Sequence, residues 1–196
     1  MKALILHGTG ATPNSNWFPW LKQKLEEQGY EVWIPLLPDN HTPNRETYND
    51  SLFGSGWDFT DNIVIGHSAG AVSVLNLLMD KRCPPVKIGV MVGAWAGNDF
   101  EPTPAQLKAY QQANFTREQF AGLFPWEGFD FERIKAKTDK LIFVHGDDDP
   151  YCPLEQAQCL AGKLDADIHI IPNGQHLGST YKEFPKLLDI INSATI

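Results

Sequence analysis

The stretch Asn62-Ile63-Val64-Ile65-Gly66-His67-Ser68-Ala69-Gly70-Ala71-Val72-Ser73-Val74-Leu75-Asn76-Leu77-Leu78 decides the fold. An apolar run of strand length leads into Gly-x-Ser-x-Gly, and a run with amphipathic helical spacing leads out of it. That is a nucleophile elbow in the strand-turn-helix context that gives the string its meaning. Such a turn strains the backbone at Ser68 and pushes the hydroxyl outward. Gly66 and Gly70 lack side chains because the helix must pack closely on the strand. An ordinary Gly-rich turn shares the five residues; the flanking strand and helix favour the elbow.

Outward from this point, short Val-, Ile- and Leu-rich runs alternate with helical stretches, the pattern of a parallel sheet covered on both faces. Strands are predicted at 3–7, 31–35, 62–66, 87–92, 140–145 and 168–171. Helices are predicted at 16–28, 44–53, 68–80, 153–164 and 179–191. The first carries Trp17, Trp20, Leu21 and Leu25 on one face with Gly29 at its end. Residues 97–128 break the rhythm and are rich in aromatics; they read as a small helical cap inserted over the sheet, with helices near 104–114 and 116–123. Thr103-Pro104 marks one helix start, and Thr116 with Gln119 forms a capping box at the other. The expected fold is α/β, three-layered, with about six mostly parallel strands in the order 2-1-3-4-5-6 and a single domain spanning 1–196.

The chain has 196 residues, 42% hydrophobic and 20% charged, ordinary values for a soluble globular protein. Its net charge of −8 opposes a phosphate backbone, and no basic stripe or nucleic-acid module is present. The apolar start at Ala3-Leu4-Ile5-Leu6 is too short for a signal peptide, and no run approaches the roughly 18 apolar residues of a membrane span. Three cysteines, Cys83, Cys152 and Cys159, cannot all pair within one chain. Reduced thiols in a cytoplasm are the expectation.

A serine hydroxyl needs a base to take its proton, and the base needs an acid to orient it. In strand-turn-helix folds of this kind the order is Ser, then Asp or Glu, then His. Asp147-Asp148-Asp149-Pro150 follows the fifth strand. Asp149 is the chosen acid, because Pro150 biases its backbone to an extended form; Asp148 is the alternative, and Asp147 reads as structural. The base is His176 in Gly174-Gln175-His176-Leu177-Gly178, beyond the sixth strand. His7 and His145 end strands before glycines, where structural hydrogen bonding is the expected role. Two backbone donors should hold the oxyanion: the Ala69 amide and, in His7-Gly8-Thr9-Gly10, the Thr9 amide. Gly8-x-Gly10 lacks the third glycine of a dinucleotide fingerprint, and no Gly-Lys-Ser/Thr follows. With the first strand between the second and third, all these segments meet at the topological switch point.

With these residues in view, the chain resembles an α/β-hydrolase. It is similar to the small serine-hydrolase family that includes the retinoblastoma-binding serine hydrolase and YdeN-type proteins. The resemblance rests on His7-Gly8 with Trp17-x-x-Trp20, on Pro38-Asp39, on the elbow, on Asp148-Asp149-Pro150-Tyr151-Cys152-Pro153 and on Gly174-Gln175-His176. It implies a Ser68-Asp149-His176 triad and no cofactor. Two features depart from the family pattern: the long aromatic 97–128 segment and Gln175 before the histidine.

The expected activity is carboxylesterase-like, on a small or medium acyl ester. Trp95, Phe100, Phe115, Phe124 and Trp126 are candidates to line the acyl pocket, or alternatively to build the cap's own core. A non-catalytic interaction protein of the same fold is the rival, although the sequence carries no interaction motif. A metal-dependent hydrolase using His145, Asp147, Asp148 and Asp149 is disfavoured, because consecutive side chains rarely converge on one ion.

Overall fold

The computed structural model describes residues 1–97 and 103–195. Six parallel strands form one sheet in the order β2-β1-β3-β4-β5-β6. They are β1 (Lys2–Leu6), β2 (Glu31–Trp33), β3 (Ile63–His67), β4 (Val86–Val92), β5 (Thr138–Gly146) and β6 (Asp167–Ile171). The helices are α1 (Phe18–Glu27), α2 (Arg45–Gly54), α3 (Ala69–Met79), α4 (Pro104–Gln112), α5 (Phe131–Lys135), α6 (Leu154–Lys163) and α7 (Pro185–Ala194).

Alternation along the strands supplies both faces. Ala3, Ile5, Ile63, Ile65, Val90, Val92, Ile142 and Val144 pack under α1 and α7, against Phe18, Leu21, Leu25, Leu187 and Ile191. Leu4, Leu6, Val64, Met91, Leu141 and Phe143 point the other way, beneath α2, α3, α5 and α6. Each such Leu, Ile or Phe contributes about 1.5–3 kcal/mol on full burial. Leu6 pairs with Gly66, His67 with Val92 and Gly146 with Ile171, so the strands end nearly level. The loops that follow therefore converge at one edge of the sheet.

Three expectations need correcting. The helix after the elbow is not amphipathic: residues 69–78 are all buried, because α2 and α5 pack on its outer side and Asn76 Nδ2 donates to the Leu123 carbonyl at 2.7 Å. The last helix starts at Pro185 rather than at 179. Phe184, held before a proline, adopts φ −138° and serves as the N-cap. The Thr116–Gln119 capping bonds form at 3.3 and 3.4 Å, yet they enclose only a 3₁₀ turn, Glu118–Phe120. The short helix α5, capped by Asp130, carries no long periodic signal and escapes a sequence reading.

The elbow fixes how close α3 comes to the sheet. A Cβ on Gly66 would lie 2.1 Å from the Gly70 carbonyl oxygen, and one on Gly70 would lie 2.1 Å from that of Leu6. Only backbone atoms stand in the way, so no side chain can yield. Gly70→Ala is therefore expected to destabilise the protein by at least about 3 kcal/mol. The midpoint of urea unfolding checks this; a midpoint like that of the wild type would mean that α3 can shift freely on the sheet.

Candidate active site

Ser68 occupies φ 57° and ψ −122°, a strained conformation costing about 1–3 kcal/mol. Its amide donates to the Val92 carbonyl at 2.8 Å, and its carbonyl accepts from the Ala71 and Val72 amides of α3. The strand end and the first turn of the helix thus pin both sides of the serine. Gly8 backs onto it so closely that a Cβ there would sit 2.9 Å from the Ser68 Cβ.

Ser68 and His176 line one cleft of about 290 Å³, together with Gly8, Thr9, Gly10, Ala11, Asn16, Phe115 and Tyr151. Behind His176, its Nδ1 lies 2.7 Å from Asp149 Oδ2. The other oxygen of Asp149 accepts the Tyr151 and Cys152 amides, each at 2.9 Å. Asp149 is 9% exposed. Burial alone would raise its pKa. The bond and charge of His176, the Cys152 amide and nearby His145 outweigh burial and hold the carboxyl below its ordinary value.

The three consecutive aspartates divide the work. Asp147 Oδ1 accepts the Asn173 amide at 2.8 Å, Asp148 Oδ1 accepts the Gln175 amide at 2.6 Å, and Asp149 meets the His176 ring. Asp147 and Asp148 thus hold the backbone of the histidine loop, and Asp149 holds its imidazole. That loop needs holding. Asn173, Gln175 and Leu177 all have left-handed φ, 53°, 51° and 52°, which costs L-residues conformational energy. From the other side Trp17 Nε1 donates to the Leu177 carbonyl at 2.8 Å, and His67 Nε2 donates to the His176 carbonyl at 2.8 Å.

Three strand-end histidines serve as fasteners. His7 donates from Nδ1 to the Gly8 carbonyl and accepts the Leu37 amide at Nε2. His67 holds the loop of His176, and His145 donates from Nε2 to the Cys152 carbonyl in the loop of Asp149. All three are buried, and burial, the largest cause, lowers the pKa of each. For His67, burial and the neighbouring His176 push it down to about 3. The fixed, uncharged rings keep a constant donor pattern. Of the three, only His67 gives no sign in the sequence, because it occupies the variable position of the elbow.

The sequence-chosen pocket residues separate. Phe115 lines the cleft. Trp95 lies outside its lining and packs edge-on against Phe120 and Phe124. Trp126 is 93% exposed and does not line the cleft, and Phe100 lies outside the described residues. Tyr151, which stands in the Asp148–Pro153 string but has no assigned role there, supplies the wall beside His176, with ring centroids 5.1 Å apart. Its carbonyl accepts from Gln106 Nε2 and Tyr110 Oη, so α4 is tied to the loop that carries Asp149. In the loop after β1, the Gly10 amide donates to Asn40 and the Ala11 amide to Gly8, whereas Thr9 lies at the cleft. The Ala69 amide is at the first turn of α3, where amides have no partner within the helix.

The only cluster of three or more His, Cys, Asp or Glu with metal-ligand spacing among the described residues is Asp149, Cys152 and His176. It does not include Asp147 or Asp148, whose carboxylates bind the loop amides.

Comparison with known proteins gives the family and the fold. The family model for serine hydrolases matches residues 3–193. Serine hydrolase RBBP9 of Rattus norvegicus is 25% identical over 195 residues, covering 98% of this chain and 94% of that protein. YdeN of Bacillus subtilis (strain 168) is 23% identical over 192 residues, covering 96% and 93%. The crystal structure of the ydeN gene product from B. subtilis superposes with a TM-score of 0.79, at 21% identity, over 99% of this chain and 98% of that one. That likeness shows the α/β-hydrolase fold. No helix among the described residues is long and apolar enough to cross a membrane.

The buried imidazoles make stability depend on acid. The unfolded chain takes up a proton on His67 near its ordinary value of 6.5, and the folded chain only near 3. Between those values unfolding absorbs a proton, so stability falls as pH falls, by about 1.4 kcal/mol per pH unit for this one group. His67→Gln keeps a donor for the His176 carbonyl and is expected to flatten the acid slope by that amount in urea unfolding between pH 4 and 6. Equal slopes in both proteins would show that His67 is protonated without unfolding.

Proposed function

Because this chain belongs to the serine hydrolase family, we propose that it is an esterase-like enzyme working through an acyl-enzyme on Ser68. The observation that carries this reading is the 2.7 Å bond from Asp149 to His176 Nδ1, with Ser68 and His176 on the same cleft. With Nδ1–H given to the carboxylate, Nε2 keeps its lone pair for the serine proton.

The steps follow from those positions. Ser68 Oγ attacks the acyl carbonyl while His176 Nε2 takes its proton. Asp149 stabilises the resulting imidazolium. The oxyanion rests on the Ala69 and Thr9 amides, each donor worth about 3 kcal/mol in the transition state. Ala69 opens α3, and Thr9 follows Gly8, whose carbonyl is held by His7. His176 then returns the proton to the leaving alcohol, and water repeats the sequence to release the acid.

The cleft supports a small or medium acyl group. Phe115 and Tyr151 present apolar faces, while Ser15, Asn16 and Ser179 leave a polar rim for the leaving group. The aromatics Trp95, Phe120 and Phe124 form a joined edge-to-face cluster instead, which supports the reading that the segment between β4 and β5 builds its own core.

A fluorophosphonate probe is expected to label the wild type and leave Ser68→Ala unlabelled; equal labelling would remove Ser68 as nucleophile. Asp149→Asn should lower kcat by roughly 10⁴-fold. Asp148→Asn, which keeps an oxygen to accept the Gln175 amide and loses only the charge on an exposed bond, should stay within about tenfold of wild type. The reverse order would make Asp148 the acid. Across p-nitrophenyl esters from acetate to laurate, kcat/KM should be highest among the shorter chains; a flat series would contradict a bounded acyl site.

A further inference from the structure

Cys152 is nearly completely buried and has no part in the proton relay, yet its sulfur lies beside that relay. Cys152 Sγ, one oxygen of Asp149 and a ring nitrogen of His176 all lie within 4.8 Å of one another. We propose that these three side chains form an inhibitory site for a thiophilic divalent cation such as zinc, which silences the enzyme by capturing the nitrogen that Asp149 now holds. The inference rests on the triad reading above.

Three features of the chemistry support it. Thiolate, imidazole and carboxylate are the donor types zinc takes, and three protein ligands leave a fourth position for water. The charges balance: a dication with one thiolate, one carboxylate and a neutral imidazole is uncharged, so the ligands offset the cost of burying the ion. The frame is fixed as well. The Tyr151 and Cys152 amides hold the Asp149 carboxylate, and His145 holds the Cys152 carbonyl. Donor atoms around a tetrahedral zinc are roughly 3.3–3.8 Å apart from the usual bond lengths. The ring and carboxylate must therefore open slightly from 2.7 Å, and the sulfur must move inward. The cleft gives access at the partly exposed His176 ring, whose side chain is 18% exposed.

The proton balance explains the inhibition. In the metal-free protein the sulfur is a neutral thiol, since burial, followed by the charge of Asp149, pushes it up. On binding, the S–H bond breaks, a Zn–S bond forms and one proton leaves to solvent. Zinc replaces the proton on His176 Nδ1, and that proton reappears on Nε2. The imidazole stays neutral, but its Nε2 becomes a donor toward Ser68 and has no lone pair to accept the serine proton.

The test separates this site from the catalytic reading. Zinc chloride is titrated into wild type, Cys152→Ala and Cys152→Ser, with each rate normalised to that protein's metal-free rate. The half-inhibitory concentration should rise at least about tenfold in both variants. Cobalt chloride should give a thiolate-to-cobalt absorption band in the wild type and in Ser68→Ala, and none in Cys152→Ala. If Cys152→Ala fails to fold, Cys152→Ser and the wild-type cobalt spectrum decide. Equal zinc inhibition in the variants, or no thiolate band in the wild type, overturns the site. Neither result touches Ser68, whose labelling is measured without metal.

Discussion

At the carboxyl end of the sheet, β5 and β6 finish in register, Gly146 beside Ile171, and the two chains go on side by side. The Asp147 amide still reaches the Ile171 carbonyl at 3.3 Å. Beyond that point backbone pairing stops and carboxylates replace it: Asp147 to Asn173, Asp148 to Gln175, Asp149 to His176. The 2.7 Å Asp149–His176 bond is the last rung of this side-chain ladder. Its place is therefore set by the sheet itself. A left-handed zigzag at 173, 175 and 177 is unfavourable alone, and the ladder, with Trp17 and His67 on the opposite side, supplies the bonds that keep it.

The serine side obeys the same logic with different parts. Strain at Ser68 is held by α3 packing onto β3 through two glycines. Because α3 is buried on every side, its position cannot adjust to loop movement. His7, His67 and His145 then fasten the loops of the proposed oxyanion donor, base and acid. The base and acid loops are held to the sheet by rings that stay uncharged near neutral pH, so the geometry is independent of their own titration there.

Much of this was legible in the residues, for identifiable reasons. Strands buried on both faces read as continuous apolar runs, so six strands could be inferred; their order follows from placing the first strand between the second and third, where the site segments meet. The elbow carries its own context in 62–78. Other features depend on tertiary neighbours. Nothing local separates Asp147, Asp148 and Asp149; their roles are assigned by which atoms of the β6 loop lie opposite. Tyr151 is visible only as part of a turn, although its ring and carbonyl join the cleft to α4. Trp126 is aromatic in composition but solvent-facing in place, since aromatic content gives no direction. Pro185 did hold a readable signal: helical spacing at Tyr181 and Phe184 is cut short because the residue before a proline avoids the helical conformation.

The most direct test of the proposed relay is the proton NMR spectrum of histidine-¹⁵N-labelled protein in water. A strongly deshielded Nδ1–H resonance of His176 is predicted, present in the wild type and in Ser68→Ala. In Asp149→Asn it should move to the field of an ordinary imidazole N–H. No deshielded resonance in the wild type, or one that Asp149→Asn leaves in place, would contradict the account.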